Sequence, residues 1–118
     1  MTQKPADLLP LKPLHLLMLL TLVDGERHAY GIKKDRAARG AYRDVGPGTL
    51  YRSIAQLIAA GLIEESERRP VAELDDERRR YYQLTAFGRR VLAAEAARLE
   101  SLVAAARAHK LIARPERA

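Results

Sequence analysis

The chain has 118 residues, 47% of them hydrophobic and only 5% aromatic, with no cysteine. That length accommodates one domain with a single core, and the lack of cysteine excludes disulfides, thiolate catalysis and Cys-containing zinc sites. Twenty-one basic against 15 acidic residues give a net charge of +6, a balance that favours nucleic acid or another anionic surface as partner and is silent on fold.

Residues 1–12 hold prolines and no clear period, which predicts a flexible N-terminal arm, although Leu8, Leu9 and Leu11 offer apolar side chains for docking. The longest apolar run, Leu16 to Leu20 with Leu22-Val23 beyond, is far short of the ~20 residues a bilayer requires. Lys4 followed by Pro10 and Pro13 makes a poor signal peptide, so a soluble, cytoplasmic protein is expected. Pro13 suits a first helical turn, where its missing N–H costs nothing. His15 to Val23 then reads as a central apolar helix, stopped by Asp24-Gly25.

A second helix is predicted from Ala29 to Arg39, with Gly40 as its C-cap. Tyr30, Ile32 and Ala37 have the spacing of a buried face, and Lys33, Lys34, Arg36 and Arg39 lie toward solvent. Gly31 costs roughly 0.5–1 kcal/mol relative to Ala inside a helix, which points to close approach of another backbone. Tyr42 to Val45 could form a very short strand. The next helix starts at Pro47 and ends before Gly61. Leu50, Ile54, Leu57 and Ile58 form its apolar stripe, and Thr49, Arg52, Ser53 and Gln56 fall opposite. Leu62 to Arg68 and Arg79 to Leu84 read as two strands joined around Pro70 and Asp75-Asp76.

Thr85 is a good N-cap for a last helix from Ala86 to about Leu111. Leu92, Leu99, Val103 and Ala106 form its stripe, with Val91, Ala96 and Leu102 alongside. Such a helix spans about 39 Å at about 1.5 Å per residue, more than a core of this size can cover. A second copy of the chain is the simplest cover for its distal half, and Leu92, Leu99, Leu102, Val103 and Ala106 are the expected dimer interface. Residues 113–118 are expected to fray.

A short, polar-faced helix running into a two-stranded hairpin is how a winged helix-turn-helix presents itself to DNA. The expected organisation is an α+β, mostly helical chain. Residues 13–85 form the winged helix-turn-helix and 86–112 the C-terminal dimerisation helix. Four groups of residues also resemble the PadR family of bacterial transcriptional regulators. These are Leu20-Thr21-Leu22 with His28-Ala29-Tyr30-Gly31-Ile32; Gly46-Pro47-Gly48-Thr49-Leu50-Tyr51; Leu57 with Ala60-Gly61-Leu62-Ile63; and Arg79 to Thr85 with Gly88. The chain looks like the short-chain branch, whose dimerising region is a single helix. The resemblance covers residues 13 to about 110. It departs at Gly46, where the family often has Ser or Asn, and at Arg52, where it often has Pro. Both departures bear on the target sequence, not on the fold.

In a winged helix the N-terminal half of the Pro47 helix enters the major groove. Gly48 and Thr49 then suit a phosphate at the helix N-terminus, and Tyr51 a phosphate or sugar. Arg52 suits guanine and Gln56 adenine. Tyr51 equally suits a partly buried brace, Gly48 a tight turn, and Arg52 a solvated charge. From Arg27 to Arg52 there are seven basic and two acidic residues. Lys33, Lys34, Arg36 and Arg43 in that segment are candidates for phosphate contacts, which position without specifying. The hairpin from Glu64 to Arg80 has five Arg against seven acids, so only some of it can face DNA: Arg68 and Arg69, or Arg78 and Arg79.

Asp75-Asp76-Glu77 lacks an EF-hand spacing and reads as a solvated turn. His15, His28 and His109 lie in different elements, with His28 expected to make a structural hydrogen bond at the start of the second helix. There is no P-loop, nucleophile elbow or dinucleotide fingerprint. Neither enzyme activity, a metal nor a cofactor is expected. The expected function is a homodimeric repressor of a palindromic operator, with an effector of unknown identity. The alternative is a winged-helix protein-interaction module without specific DNA binding.

Overall fold

A computed structural model describes residues 3–29, 31–32, 46–66 and 80–113. One turn of 3-10 helix, Pro5–Leu8, precedes helix α1, Pro13–Thr21, and strand β1, Arg27–His28. Helix α2, Pro47–Ala59, leads into strands β2, Ile63–Glu65, and β3, Tyr81–Leu84, and helix α3, Ala86–Ala108, follows. The described chain is α+β and mostly helical, as expected. Ala29, Gly31 and Ile32 are helical. The rest of the expected second helix, the strand at 42–45, the hairpin tip and the last five residues lie outside the described residues.

The sheet is antiparallel with β3 in the middle. Ile63 pairs with Leu84, Glu64 with Gln83 and Glu65 with Tyr82 on one side. Arg27 pairs with Tyr82 and His28 with Tyr81 on the other. The β1 strand was not expected from the sequence, since two residues carry no readable alternation. His28 performs the expected structural bond, its Nδ1 accepting from the Gly31 N–H at 3.1 Å, and its ring meets Tyr81 edge-on at 5.4 Å.

Local chemistry explains how α2 stops and α3 starts. Gly61 takes φ +78, a region open to glycine without steric penalty. Its N–H donates to the Ile58 carbonyl at 2.9 Å, and the Leu62 N–H donates to the Leu57 carbonyl at 3.0 Å. This is the Schellman ending, and the accompanying apolar pair, Leu57 and Leu62, is buried. Thr85 caps α3, its Oγ1 accepting from the Gly88 N–H at 2.8 Å and donating to the Gly61 carbonyl at 2.6 Å. Gly88 lies against Leu62: a Cβ there would stand 1.9 Å from the Leu62 carbonyl oxygen.

Met18, Leu19, Leu22, Ile32, Leu50, Ile54, Leu57, Ile63, Val91 and Leu92 form one core. Four expectations are corrected by it. The N-terminal arm is docked rather than loose: Leu8, Leu9 and Leu11 pack on the core. The Leu11 N–H also donates to the Glu95 carboxylate at 2.7 Å. Leu92, expected at a dimer interface, is 6% exposed and belongs to the chain's own core, because α1 and β3 pack on the start of α3. Ser53, expected on the polar face of α2, is buried, and Ile58, expected in its apolar stripe, is 43% exposed. The inward direction of α2 is therefore set by Leu50, Ser53, Ile54 and Leu57.

Candidate nucleic-acid interface

The first turns of α2 expose one face. Gly46 is the N-cap residue and Pro47 stands at N1, where its lack of an N–H leaves nothing unsatisfied. No side chain caps this end, so the helix begins with N–H groups available to an outside acceptor. Gly48, Thr49, Tyr51, Arg52, Ala55 and Gln56 are all exposed, while Leu50, Ser53, Ile54 and Leu57 anchor the opposite face. The sequence-predicted candidates Gly48, Thr49, Tyr51 and Arg52 thus share one outward surface at the start of one helix. Tyr51 is 58% exposed, so most of its ring is open to an outside contact, while the covered part is compatible with a brace on the helix.

The glycines at 46 and 48 are informative. Neither has a left-handed φ, and a Cβ on either would meet nothing within 4 Å among the described residues. The packing of the described residues does not require glycine at 48, inside a helix, where it is destabilising by roughly 0.5–1 kcal/mol relative to alanine. What the missing Cβ provides is clearance on the outer surface, beside the free N–H groups.

Gln56 differs from its neighbours. Its Oε1 lies 3.1 Å from His15 Nε2, so the amide is engaged with α1 and must release His15 to reach a base. The sequence offers no signal for this pair, since 41 residues separate them. Both residues line a cleft of about 190 Å³ between the docked arm and α2, with Leu8, Leu11, Leu57 and Leu62. Burial holds the His15 imidazole below its ordinary value, Lys12 adds to this and the Gln56 bond opposes it. The net effect favours the neutral imidazole.

Lys33, Lys34, Arg36, Arg43, Arg68, Arg69 and Arg79 lie outside the described residues, as do Arg78 and Asp75-Asp76-Glu77. At the base of the hairpin, Arg80 pairs with Glu65 at 3.2 Å and Gln83 donates to Glu64 at 3.1 Å. One arginine of the hairpin therefore already serves an acid of the same hairpin. At the other end of the molecule, Leu102 is 54% exposed, and Leu99, Val103 and Ala106 are partly exposed. They sit beyond the last core contacts of α3. Among the described residues no group of His, Asp and Glu could hold a metal ion, and no helix is long and apolar enough to cross a membrane.

Solved structures share this architecture. A PadR family transcription regulator from hypervirulent Clostridium difficile R20291 superposes with a TM-score of 0.68 at 19% identity, over 83% of this chain and 98% of that one. A PadR family transcriptional regulator from Eggerthella lenta DSM 2243 gives 0.63 at 26% identity, over 78% and 76% of the two chains. Bacillus subtilis PadR, solved in complex with operator DNA, gives 0.58 at 23% identity, over 70% of this chain and 46% of that one. No curated protein matches the chain. The profile of the Transcriptional regulator PadR-like family matches residues 16–94, from α1 into α3, and the chain belongs to that family.

Proposed function

We propose that this PadR-like regulator is a homodimeric repressor that binds a short, roughly palindromic operator through the start of α2. The supporting observation is the outward surface of Gly48, Thr49, Tyr51 and Arg52 at an uncapped helix N-terminus. Free N–H groups and a glycine that the packing of the described residues does not need suit a phosphate, and Arg52 suits a guanine edge. The solved operator complex of the family member from Bacillus subtilis supports duplex DNA as the partner. Lys33, Lys34, Arg36 and Arg43, with Arg68, Arg69 and Arg79, would add contacts to the backbone.

Dimerisation would proceed through Leu99, Leu102, Val103 and Ala106. These apolar side chains stand on the half of α3 that the chain's own core does not cover. Two-fold symmetry would then set two copies of α2 about 34–36 Å apart, one helical turn of DNA. The expected repressor activity follows from occupancy of an operator.

Selection of bound duplexes from a random pool tests the reading. A two-fold symmetric consensus is the expected result. Recovery of sequences without any consensus, bound no better than random duplex, refutes specific operator binding.

A further inference from the structure

We infer that Ala55 reads the methyl group of a thymine next to the base contacted by Arg52. The inference rests on the proposed docking of α2 in the major groove. The buried residues Leu50, Ser53, Ile54 and Leu57 fix which way α2 faces inward. At 3.6 residues per turn, the line directly opposite runs through Gly48, Arg52, Ala55 and Ala59, and all four are exposed. Ala55 therefore stands at the centre of the outward surface, one turn beyond Tyr51 and Arg52 and within about 5–6 Å of both at Cβ.

The chemistry around Ala55 is apolar. Tyr51 and Ile58 stand at i−4 and i+3 and are both exposed, so Tyr51, Ala55 and Ile58 make a continuous strip along α2. Its amide neighbour Gln56 is engaged with His15. Among the described residues, the middle of this surface thus offers the Arg52 guanidinium and, at the tip of a ring, the Tyr51 hydroxyl, which suits a phosphate or sugar, so hydrogen-bond readout of base edges there is left to Arg52. The major-groove feature that an apolar side chain recognises is the C5 methyl of thymine. Alanine is short enough to let the helix approach it, and Gly48, lacking a Cβ, does not hold the helix away.

The test uses the full chain and the duplex selected from a random pool. Each thymine of a half-site is replaced singly by deoxyuridine, which removes only that methyl. One position per half-site, adjacent to the base pair whose preference relaxes in Arg52→Ala, should lose about fourfold in affinity, the worth of one buried methyl-sized group. Ala55→Ser keeps the size of the side chain at an exposed position and should bind thymine and deoxyuridine duplexes equally at that position, while keeping the preference read by Arg52. Deoxyuridine tolerated at every position, or an unchanged penalty in Ala55→Ser, overturns the inference while leaving operator binding intact. If no duplex is preferred over random DNA, operator binding itself fails, and the exposed strip belongs to a protein contact instead.

Discussion

Gly48 separates what the fold needs from what a ligand needs. It sits at the second position of α2 without a left-handed φ and with open space, among the described residues, where a Cβ would be. Replacement by alanine should raise stability by roughly 0.5–1 kcal/mol and at the same time weaken operator binding, by crowding the phosphate approach. Thermal unfolding and a binding isotherm on the same variant check both halves; a Gly48→Ala protein that binds as well as the parent refutes a close backbone contact. Arg52→Ala should cost about 1–3 kcal/mol on the best operator and relax one base pair per half-site. The comparison of operator with scrambled duplex would stay unchanged if Arg52 were only a surface charge. These residues were legible in the sequence because helical spacing alone puts them opposite Leu50, Ile54 and Leu57. Ser53 was not, since a small hydroxyl is compatible with either face. Nor was the bond that engages Gln56, whose partner His15 is 41 residues away in sequence.

Glycine contacts and one buried carboxylate join the elements to one another. Gly88 lets α3 begin against the Leu62 carbonyl, and a Cβ there would overlap backbone that has no freedom to move. Gly88→Ala should therefore destabilise by at least about 1–3 kcal/mol, read as a lowered midpoint in denaturant. Thr85 and Gly61, which complete this junction, were both legible from capping and C-cap rules. The arm was not, because its anchor is Glu95, a residue that composition assigns to a solvated helix face. Glu95 is 1% exposed and accepts from the Leu11 N–H and from Arg98 Nε. The Arg98 bond, with help from Leu11, holds the Glu95 carboxyl below the ordinary carboxylate value against the opposing effect of burial. A folded-state pKa below the unfolded one stabilises the protein above the unfolded value, about 4.3, and that contribution is lost as pH falls through the lower, folded value. Glu95→Gln should flatten the acid limb of stability below about pH 4.3. Glu95→Ala, which leaves the Leu11 N–H without its acceptor, should cost about 1–3 kcal/mol and speed exchange of that amide. Equal acid sensitivity of parent and Glu95→Gln refutes this role for the carboxylate.

At the scale of the whole molecule, the contrast between the two ends of α3 decides the architecture. Val91, Leu92 and Glu95 close the chain's own core, and from Leu99 onward the apolar residues are partly or fully exposed. The length of this helix and its leucines were legible in the sequence. The point at which it leaves the core was not, because one continuous stripe serves two different neighbours and only packing shows where the first stops. A second copy covering Leu99, Leu102, Val103 and Ala106 accounts for the exposed half, and it also supplies the second α2 that a palindromic operator requires. Replacing Leu99 and Leu102 together by Glu puts two unpaired charges into that contact, which is strongly unfavourable, yet it leaves Val91 and Leu92 untouched, so the monomer should remain folded. Sedimentation should then report one chain in place of two, with an unchanged circular dichroism spectrum. Affinity for the selected duplex should fall steeply, because each monomer reaches only half a site. The salt dependence should fall with it: log K declines with log salt at a slope of about −0.9 per phosphate neutralised, and a monomer neutralises half as many as a dimer. Halving of that slope in the double variant identifies α3 as the element that joins two DNA-binding units. A variant that keeps both the parental mass and the parental slope would instead leave α3 without that role.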